Sequence, residues 1–415
     1  MTTSTESASL SRLEMWALVI CQPLAQLSNM ALLPSLGAMR ADLGLSYAEL
    51  GWIVAAFGIT RLAVDLPAGN LASRWNPRSV LIAALALSAF GSGAGILATN
   101  GLQIATVRLL IGVGSAVAQA MLLAWIVGGA GRAGRGRALS LSEAFFSAVG
   151  LVVPALGGLL AGTFSWRVAF VLGAIAALVG LLAILLWTRA SSAASAVGLS
   201  HSTQPTDDRL RPVGWFDLRA GGKVLLASYV STFGVFFCRN GMLNSVVPVL
   251  GAERFSFTPF EIGSLFSVIN AIGIAAVLLG GRCADRFGRY RVLAPGVVLL
   301  ALSQGLLLTV HDPLTYIVVG LMQGVACFVN PLPTIVMGDA LSPRLRARGI
   351  AVYRAVCDVA ILSAPASMGL AIQAAGFSAA EALNFLVSAS VLGGVWLLYS
   401  ASRATSALGV RLPGR

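Results

Sequence analysis

Long apolar stretches alternate with short polar connections along this chain. Twelve runs can be read, at residues 14–37, 47–72, 79–98, 102–129, 139–162, 167–188, 223–251, 260–281, 291–311, 314–341, 349–375 and 381–401. Each is close to or above the roughly 20 residues that a helix needs to cross a bilayer. A barrel strand is about 10 alternating residues; these runs are longer and do not alternate, so strands are excluded. Helices are the other way to satisfy a lipid-exposed backbone. Gly112, Gly114, Pro154, Gly157 and Gly158 lie inside runs, which suits close helix packing in lipid. The pattern predicts an all-α polytopic membrane protein with 12 transmembrane helices.

Residues 190–222 break the pattern with a polar segment containing Ser and Pro, a linker by composition. It divides the chain into an N-terminal bundle (1–189) and a C-terminal bundle (223–415, ending in a short tail) of six spans each. The halves are similar at a near-constant offset. Glu49-Leu-Gly51 matches Glu261-Ile-Gly263, Gly69 matches Gly281 and Gly112 matches Gly324, each 212 residues on. Arg137 with Pro154 matches Arg348 with Pro365 at the same internal spacing. Two pseudo-symmetric six-helix bundles are a transporter signature, with the ligand site expected between the repeats.

Composition excludes the soluble classes. Hydrophobic residues make up 57% of the 415 and charged residues 11%, against about 45–50% and 25% in soluble domains; the mean hydropathy is +0.86. The net charge of +12 does not indicate a nucleic-acid partner, because the arginines form short clusters between apolar runs rather than one basic face. Arg40, Arg167 and Arg254 fall on one side, and Arg61, Arg108, Arg239 and Arg354 within runs, leaving 21 of the 28 basic residues on the side of both termini. That side is expected to be cytoplasmic in a multi-pass protein of the cell membrane. Trp16, Trp52, Trp125, Trp166 and Trp187 sit near predicted span ends, as an interfacial belt would. His201 lies in the linker and His311 is the last residue of the ninth run, and the five cysteines lack metal-ligand spacing. No metal, cofactor, disulfide framework or cleaved signal peptide is expected.

Gly281-Arg-Cys-Ala-Asp285-Arg286-Phe-Gly288-Arg289, after the eighth run, resembles the G-x-x-x-D-R-x-G-R loop of the major facilitator superfamily. The glycines permit a tight turn, Asp285 can cap or pair across it, and the arginines can reach anionic lipid. The first-half copy, from Gly69 through Arg74 to Arg78, has Ser73 where Asp is usual and Asn76 where Gly is usual. Arg108-Leu-Leu-Ile-Gly112 is similar to the family's fourth-span arginine motif, which implies a part in proton transfer. Gly150-Leu-Val-Val-Pro154-Ala-Leu-Gly157-Gly158 looks like its antiporter motif, with Val153 in place of a glycine. Trp166-Arg167 followed by Phe170 is also family-like. The resemblance spans essentially the whole chain. It implies that spans one, four, seven and ten line a central cavity, and that spans two and eleven, and five and eight, are neighbours.

Ionisable groups at membrane depth are costly and point to function. Here they are Arg61, Asp65, Arg108, Glu143, Arg239, Asp339, Arg354 and Asp358. Glu143 and Asp339 lie near span ends, where capping or pairing with loop arginines (Arg282 or Arg286 for Glu143) is the plain reading. Arg61, Asp65, Arg354 and Asp358 can form a gating network. Their depths match crosswise, Asp65 with Arg354 and Arg61 with Asp358, while pairs within each helix are the alternative. Gln22, Gln26 and Asn29 share a helical face in span one, and Gln323 and Asn330 share one in span ten. With Arg108, Arg239 and Asn240 they form the expected substrate cavity, although polar amides also serve as interhelical bonds.

At the expected cavity the arginines, Arg108 and Arg239, predominate over carboxylates, which favours a neutral or anionic organic solute over a cationic one. No G-x-x-x-x-G-K-[S/T] loop is present for nucleotide, and no run carries in its interior the His needed for a membrane enzyme. The reading is a non-enzymatic secondary transporter, monomeric, with solute, protons and lipids as partners. Proton-coupled efflux leads; uptake of an organic acid and a non-transporting receptor or scaffold are the alternatives.

Overall fold

A computed structural model describes residues 11–65, 75–129, 131–188, 222–287, 289–329 and 343–407. The 190–222 linker apart from Gly222, Gly69, Arg74, Gly288, Asn330 and Asp339 lie outside the described residues, as do the side chains of Asp65, Asp285 and Arg289. The described chain is helical, in the order read from the sequence. Span one comprises helices Arg12–Leu24, Leu27–Leu32 and Leu36–Leu43 with a 3-10 turn at Leu33–Ser35. Spans two to six are Tyr47–Asp65, Pro77–Ile96, Gly101–Gly129, Gly131–Thr163 and Val168–Trp187. Span seven runs through Gly222–Gly241, a π turn at Met242–Val246 and Val247–Arg254. Spans eight and nine are Pro259–Phe287 and Arg289–Leu307; span ten is Pro313–Ala326 with a 3-10 turn at Cys327–Val329. Spans eleven and twelve are Pro343–Ala375 and Phe377–Ala407. Ten of these are long and apolar enough to cross a membrane, and those of spans nine and ten are shorter apolar helices.

Span six shows why such a chain packs as it does. Its inward stripe is Ala169, Phe170, Gly173, Ala176, Ala177, Gly180, Ala183 and Ile184, recurring at helical spacing. Its outward side carries Ile175, Leu178, Val179, Leu182, Leu185 and Leu186. Small residues face protein and large apolar ones face out, the arrangement expected where lipid solvates Leu as well as protein does. Gly95 of span three receives the fully buried Phe170: a Cβ there would stand 2.5 Å from the ring.

The chain divides into two compact units. One is Met1–Met39, Ile59–Asp208 and Pro259–Gly263; the other is Arg40–Gly58, Arg209–Thr258 and Ser264–Arg415. The exchanged pieces follow from close backbone approach. Within the second unit, a Cβ on Gly51 would lie 2.6 Å from the Pro365 carbonyl oxygen, and one on Gly58 2.8 Å from Leu362 Cα. Spans two and eleven therefore touch backbone to backbone. Within the first unit, Gly158 meets the Pro259 carbonyl and Gly263 the Pro154 carbonyl, which joins span five to the start of span eight.

Some expectations are corrected. Trp125 is fully buried among Leu18, Leu85, Met121 and Ile184, and Trp166 is 3% exposed. Both are core residues; Trp16, Trp52 and Trp187 remain half-exposed. Gly281 lies inside the helix that runs to Phe287, so the turn into span nine is not made there. Asn76 has a local reason: its side chain accepts the Arg78 N–H at 3.0 Å and caps span three, with Pro77 at the first helical position.

Gly95→Val is expected to push Phe170 from its seat and cost about 1–3 kcal/mol, read as a lower melting temperature in detergent. Adding Phe170→Ala should make the second change cheaper in that background than in wild type. Strictly additive losses would show that the two residues do not share one contact.

Candidate functional site

Three spans expected to line a cavity are broken part-way. Pro23 lacks the N–H that would bond the Val19 carbonyl; the chain tightens there, with Gln26 N–H bonding the Pro23 carbonyl at 3.0 Å. Span seven widens into its π turn and span ten tightens at Cys327–Val329. Irregular backbone at membrane depth is tolerated where it is covered by protein or lines a cavity, and π turns gather at functional positions.

In the first unit, Gln22 and Gln26 are buried, and Gln22 Oε1 and Gln26 Nε2 have no hydrogen-bond partner among the described residues. Asn29 is half-buried on the same side of span one. Arg108 is 3% exposed and held by interactions within the fold. One turn along its helix, Gly112 leaves room for the Thr60 hydroxyl of span two. Arg61 is half-buried and has interaction partners.

In the second unit, Arg239 and Asn240 are half-buried in span seven. Arg239 Nη1 donates to Cys327 Sγ at 3.0 Å, joining spans seven and ten at the span-ten break. Asn240 Nδ2 donates to the Phe236 carbonyl at 2.7 Å, and Asn244 Nδ2 to Asn240 Oδ1 at 2.8 Å. Phe236, one turn before Arg239, stacks edge-on against Tyr353 of span eleven at 6.4 Å. The second unit therefore offers a guanidinium, two amides and two aromatic rings. Gln323 takes the interhelical role: it is buried and its Nε2 donates to Ser303 Oγ of span nine at 2.6 Å. Among the described residues, no three His, Cys, Asp or Glu side chains gather where they could hold a metal.

Of the gating set, Asp358 is buried and has interaction partners, whereas Arg354 is exposed. Glu143 is exposed and joins no ion pair among the described residues. A different polar clasp, not read from the sequence, lies where spans one and two meet. Arg40 Nη1 pairs with Glu253 Oε1 at 3.0 Å. The Arg40 guanidinium also stacks on Tyr47, 3.9 Å from the ring centre, and the Tyr47 hydroxyl donates to Glu253 Oε2. Tyr47 N–H donates to Gln373 Oε1 at 3.1 Å, and its ring packs edge-on against Phe377 at 5.6 Å. Five spans meet at this clasp. A polar Tyr-x-Glu start to span two and a Glu253-Arg254 end to span seven were its only signals in sequence.

In the loop motif, Arg286 lies over Phe287, 5.4 Å from its centre, and Gly281 has open space around it. In the first-half copy, Arg78 donates to Thr188 Oγ1 and to the Leu185 carbonyl, each at 3.2 Å. It thereby satisfies the Leu185 carbonyl at the C-terminal end of span six and places a positive charge at the negative end of that helix.

A sequence model of the Major Facilitator Superfamily matches residues 18–283 and 228–411. The 3-(3-hydroxy-phenyl)propionate transporter of Escherichia coli is 25% identical over 404 residues, 94% of this chain and 95% of that protein. The drug efflux pump JefA of Mycobacterium tuberculosis is 32% identical over 180 residues, 42% of this chain and 34% of its own. The cephamycin export protein CmcT of Amycolatopsis lactamdurans is 36% identical over 141 residues, covering 32% and 28%. Among solved structures, a D-xylose-proton symporter superposes with a TM-score of 0.74 at 16% identity, covering 92% of this chain and 96% of that one. The nucleoside transporter NupG gives 0.73 at 14% identity, covering 94% and 99%.

Tyr47→Phe removes the hydroxyl donor from Glu253 and is expected to cost about 0.5–1.5 kcal/mol. The loss should shrink when Glu253 is already Gln. A Tyr47→Phe protein that melts with the wild type would show that the hydroxyl bond contributes nothing.

Proposed function

Because the chain belongs to the major facilitator superfamily, we propose that it carries a small organic anion with an aromatic body across the cytoplasmic membrane by alternating access. It is a membrane transporter, not an enzyme. On this reading the halves 1–189 and 223–415 rock about the 190–222 linker, both termini are cytoplasmic, and the chain acts as a monomer coupled to protons.

One observation carries the substrate class. Arg239 stands half-buried within span seven with a cysteine thiol as its hydrogen-bond partner, and no carboxylate among the described residues pairs with it. A guanidinium at membrane depth calls for an anion, and its planar fork suits a carboxylate. Phe236 and Tyr353 supply aromatic faces beside it. The acid named for the relative that matches 94% of this chain, an aryl propionate, has that combination of groups. Within the first unit, Gln22, Gln26, Asn29 and Arg108 are the polar groups that this proposal assigns to solute binding. Asn330 and the latch of Asp65 with Arg354 and Arg61 with Asp358 remain parts of this proposal.

Export is the favoured direction, supported by the span-five Pro154-Ala-Leu-Gly157-Gly158 motif and by the relatives named for efflux and export. Proton-coupled uptake of an organic acid is the second reading, favoured by the near full-length relative named for an acid. With the arginine-rich side cytoplasmic, the Arg40–Tyr47–Glu253 clasp lies externally and acts as the gate there.

The test is transport of 3-(3-hydroxyphenyl)propionate in proteoliposomes with an imposed pH gradient. Arg239→Ala should weaken apparent affinity about tenfold to a hundredfold, the worth of a charge-assisted hydrogen bond. Arg239→Lys, which keeps the charge without the fork, should lose less. Wild-type uptake by the alanine variant would remove Arg239 from the site. The gradient orientation that drives accumulation reads the direction.

A further inference from the structure

Span twelve begins at Phe377, one residue after the Gly376 turn (φ +81°) that ends span eleven. Glu381 is consequently inside the helix, 2% exposed, where a carboxyl is costly unless it has work to do. Its Oε1 has no hydrogen-bond partner among the described residues. One turn on, Asn384 is fully buried; its Nδ2 donates to the Cys238 carbonyl at 3.1 Å and to Gln304 Oε1 at 2.8 Å. Asn384 Oδ1 has no donor among the described residues. Gln304 and Ser388 continue the polar strip between spans seven, nine and twelve, and both are fully buried.

The two orphaned oxygens on neighbouring turns are both acceptors, and an ionised carboxylate is acceptor-only. A carboxylic acid carries the missing O–H. We infer that Glu381 is a proton-binding site of the second unit, holding its proton on the carboxyl against the Asn384 amide oxygen and releasing it during the transport cycle. The release step rests on the proton-coupled reading above; the binding step does not.

The charged and titratable groups on the elements packed around this end of span twelve are few. Span seven contributes Arg254, which acts on Glu381 through space and forms no ion pair among the described residues. Its neighbour Glu253 is engaged with Arg40 and Tyr47, and Cys238 is buried deeper along the same span. The turn after span nine contributes His311, whose Nδ1 lies 2.8 Å from Arg254 Nη2. Asp312 is occupied as the N-cap of span ten, and the Tyr316 hydroxyl donates to the Val247 carbonyl. Span eleven has no charged residue after Asp358, and span nine none after Arg291. Arg254, a permanent cation, is thus the charge placed to stabilise the carboxylate left behind when the proton leaves Glu381.

Infrared difference spectra of the purified protein between acidic and alkaline buffer test this directly. The wild type should show a titrating C=O stretch of a buried carboxylic acid, and Glu381→Gln should lose that component while eluting as the wild type on size exclusion. Glu381→Asp, should the glutamine variant not fold, should retain the band at a shifted position. An unchanged band in a folded Glu381→Gln, or in Glu381→Asp, overturns the assignment, as does the absence of such a band in the wild type. Proton flux driven by 3-(3-hydroxyphenyl)propionate in wild-type vesicles is measured alongside. Absent flux with an intact Glu381 band refutes proton coupling and leaves the proton site standing.

Discussion

Helices immersed in hydrocarbon gain little by hiding apolar side chains from lipid, so the distance to which their backbones can approach decides what holds. In this chain that distance is set by missing side chains. Gly51 and Gly58 of span two fit against Pro365 and Leu362 of span eleven, and Gly158 and Gly263 fit against Pro259 and Pro154. The same economy of size runs down span six, where Gly and Ala face inward and Leu faces out. A methyl group at these contacts would meet backbone, which cannot rotate out of the way as a side chain can.

Close packing of this kind leaves polar groups with few places to go. Where backbone is regular, side chains are satisfied locally: Ser303 bonds the Leu300 carbonyl and Thr232 the Ser228 carbonyl. Where spans one, seven and ten break, the longer polar side chains collect instead. Gln26 stands at the first break, Asn244 within the second and Cys327 at the third. The breaks are what allow a chain with so few charges to present a guanidinium and several amides away from lipid.

Much of the architecture was legible because it depends on run length and polarity alone. The order and number of spans emerged from the apolar runs, and the family from the loop after span eight. What was not legible depended on neighbours remote in sequence. Trp125 looked interfacial because it lies near a span end, yet four helices close over it. Gln323 looked like a cavity amide until Ser303, on the preceding span, accounted for it. Span five begins at Gly131 rather than residue 139, since helical backbone continues through polar residues that hydropathy counts as loop. The same blurring hid Glu381, which sat at the apparent edge of an apolar run although the helix starts a full turn earlier. The clasp of Arg40, Tyr47 and Glu253 unites residues from three spans, and the polar span ends that carry it do not show in sequence that they meet.

The π turn at Met242–Val246 has a consequence for how span seven can vary. A π turn admits one residue more than an α turn, and one residue is worth about 100° of rotation at 3.6 residues per turn. Everything beyond Val246, including Glu253 and Arg254, is therefore phased by that extra residue. Removing it would swing Glu253 through more than a quarter of a circle, away from Arg40 and Tyr47, while leaving Arg239 where it is. The number of residues between Arg239 and Glu253 works as a gear ratio between the middle of the span and its end. Substitutions there exchange one tooth; an insertion or deletion re-indexes the wheel.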